Sequence, residues 1–284
     1  MNRKIKQKLV FGTFRLFALT VMLILLAILG FIIGNGVKAV NWEFLASSPS
    51  AGMTSGGIFP AIMGTLYLII GSLVFALPFG ISAAIYTVEF SGNTRFTRFM
   101  RLMTDNLAGV PSIVFGLVGM ALFVNKLQFG TSLLAGSMTL ALLVLPVVIR
   151  TTEEALRAVP ESYRTGSMAL GASKLTTIRR VVLPAAFPNI LTGIILSIGR
   201  VSGETAPILF TVAAYFLPSL PSSIYDQAMA LPYHLYVLAT SGTDLEASRP
   251  KAYGTALVLI VLVLTLNLLA SFIRNRLKMK NPQN

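Results

Sequence analysis

Six runs of about 20 mostly apolar residues punctuate this chain, and they decide what it can fold into. A helix needs roughly 20 such residues to cross the ~30 Å hydrocarbon core of a bilayer. Inside lipid, every backbone polar group has to find its partner within the protein. The runs fall at about 16–37, 58–88, 102–124, 131–149, 190–215 and 252–273. The second and fifth exceed the length a crossing requires, so they have room to tilt, kink or break. Of the 284 residues, 55% are hydrophobic and only 12% charged, a balance that excludes a soluble enzyme. The expected fold is an all-α membrane protein of six transmembrane helices, a single transmembrane domain over residues 1–284.

The net charge of +13 would suit a nucleic-acid binder, but its distribution argues against one. Lys and Arg collect on alternate connecting segments. Arg3, Lys4, Lys6, Lys8 and Arg15 precede the first run, and Arg95, Arg98 and Arg101 fall between the second and third. Arg150, Arg157, Arg164, Lys174, Arg179 and Arg180 fill the segment 150–189, and Arg274, Arg276, Lys278 and Lys280 follow the last run. The opposite side holds Lys38, Lys126, Arg249 and Lys251. This asymmetry predicts both termini in the cytoplasm of a multi-pass protein of the cell membrane, with basic groups meeting anionic lipid headgroups. The first apolar run, about 22 residues, is too long for the ~7–15 of a signal-peptide core. The basic stretch before it, with Ile5, Leu9, Val10, Phe11 and Phe14 interleaved, reads as a short helix lying on the inner surface.

Cysteine is absent and His234 is the one histidine. Disulfides, thiolate metal sites and histidine clusters are thereby excluded, and no Ser/His or Cys/His set is available for an intramembrane enzyme. No metal and no bound cofactor is expected. His234 lies in the outer segment 216–251, which mixes Pro with aromatic residues and reads as lying on the membrane surface or re-entering slightly, with the histidine at the interface. Pro78, Pro111, Pro146 and Pro207 fall one in each of runs two to five. Prolines are tolerated in membrane helices where protein or a cavity satisfies the freed backbone groups. Runs two to five are therefore the expected inner bundle, with one and six facing lipid.

Within the fifth run, Arg200 and Glu204 stand four residues apart. A charge at the membrane centre costs roughly 2.5–3.5 kcal/mol on insertion scales, and positions i and i+4 share a helix face. The run therefore presents a polar stripe to something other than lipid. The segment 150–189 reads as two short helices. Glu161 to Leu170 forms the first, Gly171 stops it, and Ser173 caps a second that ends near Leu183, before Pro184 and Pro188 break the chain. Such a compact knob has no catalytic residues of its own and is suited to docking another protein.

That segment resembles the cytoplasmic loop of ABC-importer permeases, whose pattern is Glu-Ala-Ala, three residues, Gly, nine residues, Ile, one residue, Leu-Pro. Gly171, Val181, Leu183 and Pro184 stand at matching places, whereas Thr165, Gly166 and Ser167 replace Glu-Ala-Ala, leaving Glu161 or Arg164 to make the contact of the family's glutamate. Gly109 to Gly116 (GVPSIVFG), Leu170-Gly171-Ala172-Ser173-Lys174, and Gly199-Arg200 with Gly203-Glu204-Thr205-Ala206-Pro207 narrow the resemblance to the PstA permeases of phosphate importers. It covers nearly the whole chain. It implies a type I (MetI-like) permease that passes phosphate from an extracytoplasmic phosphate-binding protein (PstS-like) to the cytoplasm by alternating access. The permease would be paired with a second, PstC-like subunit and clamped by two PstB-like ATPase subunits that use ATP and Mg. The chain has no phosphate loop of its own.

A path for phosphate needs positive charge at depth, without a deep trap. Arg200 supplies a planar fork for an oxyanion, and Glu204 tempers it, with Thr205 beside them. Gly199 and Gly203 form a small-xxx-small pattern that would admit a neighbouring helix. Arg150 ends the fourth run, where it would receive or release the anion or serve only as a basic flank. Asp105 would pair with an arginine or sit at the interface. Pro111-Ser112 would start a half-helix offering N–H groups to an anion, or mark a simple kink. A carboxylate on the path accepts a hydrogen bond from monohydrogen phosphate and repels sulfate. Arg200 and Glu204 as a packing staple, a permease for molybdate, tungstate or phosphonate, and a structural assembly subunit are the competing readings. Glu161, Arg164, Leu170, Gly171, Ala172, Ser173 and Lys174 are the expected ATPase-coupling residues.

Overall fold

The computed structural model describes residues 3–53, 55–92, 94–241 and 245–280. Helix α1 (Arg3–Gly36) is continuous over 34 residues. No joint separates a surface helix from the first span; the basic N-terminal turns simply extend it. A short helix α2 (Trp42–Ala46) and a two-stranded hairpin (β1, Pro49–Ser50, with β2, Ser55–Gly56) follow. Helix α3 (Phe59–Ile85) carries Pro78 and is prolonged by a π turn over Tyr86–Phe90.

The third run departs from a simple span. Helix α4 (Arg95–Ala108) is amphipathic and carries Arg95, Arg98 and Arg101. It bends by 103° at Gly109–Pro111 into α5 (Ser112–Gly119) and its π-helical continuation Met120–Lys126. The apolar run 102–124 is thus shared by two helices rather than spanned by one. The physical reason is Pro111, which has no N–H and disfavours helix at Val110.

Helix α6 (Leu133–Arg157), N-capped by Ser132, runs two turns beyond the expected span end at 149, because no breaker follows Arg150 until Pro160. The segment expected to dock another protein forms α7 (Glu161–Ala169), Gly171 at φ 84°, and α8 (Lys174–Thr177). A π turn over Ile178–Val182 leads straight into α9 (Leu183–Gly203). Pro184 and Pro188 do not break the chain. At Pro184 the wider π turn, in which the Leu183 N–H donates to the Ile178 carbonyl, absorbs the proline's crowding of the preceding turn. After Gly203 the helix ends, and α10 (Ala206–Thr211) restarts it, so the fifth run is also broken. Helix α11 (Leu231–Thr240) and the long α12 (Leu245–Lys280) complete the fold.

Helix α6 is the centre, packing against α3, α9, α5, α10 and α4. Its most apolar window is just over half buried, whereas those of α1 and α12 bury nothing. The main core gathers Leu68 and Ile69 of α3, Leu140, Val144 and Val148 of α6, Val201 of α9 and Ile208 of α10. Leu156 and Val159 meet Val182, Ala186 and Ile190 in a second core. These two clusters set α6 and α9 antiparallel. The apolar faces of α1 and α12 (Phe17, Val21, Leu264, Leu268 and others) are exposed and need acyl chains to cover them. The outer segment is less superficial than expected: α11 buries Leu231, Pro232, His234, Val237 and Leu238, and the Leu231 N–H donates to Thr65 Oγ1 of α3 at 2.8 Å. His234 is a core residue.

Candidate functional site

The break in the fifth run sets the geometry of Arg200 and Glu204. In an unbroken helix Pro207 would deny the Gly203 carbonyl its partner and clash with it. The helix accordingly ends at Gly203. Glu204 is extended (φ −75°, ψ 128°), its N–H reaching only the Val201 carbonyl at 3.3 Å. The expected helical i, i+4 stripe therefore does not exist as such. The two side chains nevertheless pair, Arg200 Nε lying 3.6 Å from Glu204 Oε1, both partly accessible. At that length the contact is an ion pair rather than a good hydrogen bond. Thr205, its side chain making no capping bond, is the residue from which α10 starts. Gly199 faces Asn267 of α12 at ordinary contact distance and Gly203 faces open space, so neither glycine is required for helix approach within this chain.

Arg150 and Asp105 are brought together across elements, with Arg150 Nε 3.3 Å from Asp105 Oδ1, each about half exposed. Among the described residues no ion pair or hydrogen bond joins this pair to Arg200–Glu204. Depth separates them. Thr151 meets Gly193 on α9, and Arg200 lies seven residues further along that helix, about 10 Å deeper at 1.5 Å per residue.

Next to Arg150 lies a buried carboxylate that sequence reasoning missed. Glu153 is 3% exposed; it accepts a 2.7 Å hydrogen bond from Thr87 Oγ1 and pairs with Arg101 at 3.3 Å and Arg157 at 3.7 Å. The signal was the spacing Arg150, Glu153, Arg157, one face of a helix. Ending the span at 149 hid the fact that the helix continues. Ser112 is the first residue of α5, whose N-terminus lacks a side-chain cap. Two turns of that half-helix pack on α10, Gly116 lying against Ala206 and Pro207.

The residues expected to couple to an ATPase divide into two sets. Leu170 is 91% exposed at the C-cap of α7, and Glu161, Gly171, Ser173 and Lys174 are exposed around it, with Ala172 half-buried. Ser173 Oγ accepts the Thr176 N–H as N-cap, and Lys174 Nζ sits 5.1 Å over the Phe90 ring. Arg164, in contrast, turns inward. It donates to Glu89 Oε1 at 2.7 Å and to the carbonyls of Leu156 and Val159 at 2.8 and 2.9 Å, fastening α7 to the ends of α3 and α6. It holds the knob in place rather than offering a contact surface. The replaced motif positions are benign in this fold: Gly166 faces open space and Ser167 hydrogen-bonds Thr177 at 2.9 Å. Among the described residues no group of three His, Asp or Glu could hold a metal ion.

The family described as the binding-protein-dependent transport system inner membrane component matches residues 76–280, which include the whole of this site. The chain belongs to that family. It is 39% identical over 280 residues to phosphate transport system permease protein PstA 1 of Mycobacterium tuberculosis, covering 96% of this chain and 90% of that one. It is 34% identical to the probable ABC transporter permease protein YqgI of Bacillus subtilis, covering 96% of each. PstA of Haemophilus influenzae is 32% identical over 94% of this chain and 93% of its own. Among solved structures, a bacterial ABC transporter importing alginate superposes with a TM-score of 0.67 at 15% identity, covering 97% of this chain and 99% of that one. The MetNI methionine transporter gives 0.62 at 16%, covering 78% and 97%. This binding-protein-dependent permease thus has the MetI-like ABC-importer fold, with five membrane-length helices among the described residues and a sixth if the bent pair α4–α5 is counted as one span.

Proposed function

We propose that this chain is one permease subunit of an ATP-driven importer of inorganic phosphate in the cell membrane, with both termini cytoplasmic. The observation that carries the reading is Arg200, a guanidinium deep in the bundle, partly exposed at a helix break and held by a carboxylate at 3.6 Å rather than neutralised in a tight bidentate clamp. Relatives that are named phosphate transport permeases, at 32–39% identity, support the choice of anion.

The chemistry follows from the residues. Arg200 offers a planar set of donors to an oxyanion. Glu204 competes for the same guanidinium, so affinity stays low enough for departure. Its carboxylate also accepts a hydrogen bond from the P–OH of monohydrogen phosphate, a donor that sulfate lacks. Arg150, nearer the coupling end, receives the anion next. Motion is supplied from outside the chain. The exposed knob around Leu170 and Lys174 docks an ATPase, two copies of which serve the paired permeases and use ATP and Mg. An extracytoplasmic binding protein delivers phosphate, and a second permease faces this one across the pathway. The chain itself binds no cofactor and catalyses no reaction.

The test is reconstitution in vesicles with a second permease, an ATPase and a phosphate-binding protein. Phosphate uptake that needs ATP and binding protein is the expected result. Sulfate or molybdate uptake in its place, or ATPase activity that phosphate-loaded binding protein does not stimulate, overturns the reading. Leu170→Asp should abolish co-purification of the ATPase while leaving thermal stability unchanged.

A further inference from the structure

Helices α4 and α6 are joined by two ion pairs of opposite sense. Arg101 of α4 pairs with Glu153 of α6, and Asp105 of α4 with Arg150 of α6, each at 3.3 Å. Residues 101 and 105 are one turn apart, as are 150 and 153, so both rungs use one face of each helix. The antiparallel register is specified against slippage. A slip of one turn in one direction sets Arg101 against Arg157 and Asp105 against Glu153, like against like. A slip in the other direction sets Arg101 against Arg150. Opposed like charges disfavour both.

The rungs are unequal. Glu153 is buried and is also held by Thr87 at 2.7 Å and by Arg157. Asp105 and Arg150 are half exposed, and among the described residues each has the other as its ion-pair partner. A pair so exposed is weak and readily exchanged. Helix α4 meets α5 at the 103° bend through Gly109–Pro111, so it is an arm on a short joint.

We propose that Arg101 and Glu153 are positioning residues that hold the arm α4 so that Asp105 serves as an exchangeable counter-anion on Arg150. The inner rung is the anchor. The outer rung places a carboxylate where a transported oxyanion would sit on Arg150. Arriving phosphate displaces Asp105; the returning carboxylate then helps expel phosphate, because two anions cannot share one guanidinium at equal strength. This inference rests on the phosphate reading for its ligand, but not for the arm itself.

Two measurements on the reconstituted full complex test it. In phosphate uptake, Asp105→Asn should lower KM about three- to tenfold and lower kcat, since binding improves and release slows. Arg101→Gln, which leaves Glu153 its Thr87 and Arg157 partners, should shift KM in the same direction. The double variant should match Asp105→Asn alone, because both act through one carboxylate. Unchanged KM in Asp105→Asn, or additive effects in the double variant, overturns the proposal. Because the chain has no cysteine, spin labels can be placed on cysteines substituted for the exposed residues Arg98 and Glu154. One narrow distance is expected without the Arg101 substitution, and a broader, longer distribution with Arg101→Gln. If the distances widen in a complex that moves no phosphate, the phosphate reading fails and the arm stands; unchanged distances refute the arm.

Discussion

Arg200 and Glu204 stand on opposite sides of a helix end. The arginine occupies the last turn of α9, and the glutamate leaves it in extended conformation, yet their charged groups remain 3.6 Å apart. A carboxylate on extended backbone is freer to move than one fixed on a helix face. The helix break thus gives the carboxylate a backbone joint of its own beside the guanidinium.

Substitution at this pair should separate binding from release. Arg200→Ala should reduce phosphate uptake by the assembled complex roughly 10- to 100-fold, the scale of one lost charge-assisted contact. Arg200→Lys keeps the charge and loses the fork, and should fall between. Glu204→Gln should lower KM and kcat together. Uptake kinetics in vesicles of matched protein content measure all three, and normal uptake by Arg200→Ala would remove this residue from the path.

The Glu89–Arg164 pair should be the most sensitive ionic contact for stability. Both side chains are largely buried, at 6% and 12% exposure. Arg164→Met strands a buried carboxylate and should cost about 3–5 kcal/mol, whereas Glu89→Leu combined with Arg164→Met should recover most of the loss. Thermal unfolding of the purified complex distinguishes the two. Because Arg164 also bonds two carbonyls, recovery should be incomplete.

Two glycines should respond oppositely to alanine. At Gly64 an added Cβ would lie 1.9 Å from the Met229 carbonyl oxygen, so α3 or the chain entering α11 must shift. Gly64→Ala should destabilise by about 1–3 kcal/mol. At Gly203 nothing lies within 4 Å within the chain, and Gly203→Ala should leave the thermal unfolding of this subunit unchanged. A loss of assembly with the second permease in Gly203→Ala would instead locate the partner's approach there.

His234 should confer an acid limit on the outer segment. Burial, reinforced by the positive charge of Lys251, lowers its pKa from 6.5 to about 4. The folded state thus favours the neutral ring. The stability that this contributes is complete above pH 6.5 and is lost as pH falls towards 4, by about 3 kcal/mol at most. Unfolding midpoints measured between pH 7 and 4 should decline more steeply for the unsubstituted protein than for His234→Gln.

Much of the fold was legible because its determinants are local and one-dimensional. Apolar run length fixes spans, the Ser173 hydroxyl fixes a cap, and Gly171 supplies a positive φ where α7 must stop. The family pattern around Arg200 to Pro207 was likewise readable residue by residue. What escaped was set by three-dimensional partners. Pro111 and Pro207 end helices outright, while Pro184 and Pro188 are absorbed, the former by a π turn. The same residue type gives opposite outcomes because the neighbouring packing differs.

Sequence by itself therefore determined that this chain crosses a membrane as a helical permease and carries isolated charges at depth that require a partner. Only the tertiary structure decided which charges meet. It paired Arg150 with Asp105 and turned Arg164 inward to Glu89. It also buried Glu153 against Thr87 and Arg101, partners that the helical spacing Arg150, Glu153, Arg157 does not reveal. Ion pairing depends on distances of 2.7–3.3 Å between side chains far apart in the chain, and those distances are settled by how α3, α4, α6 and α7 pack, not by the residues along any one of them.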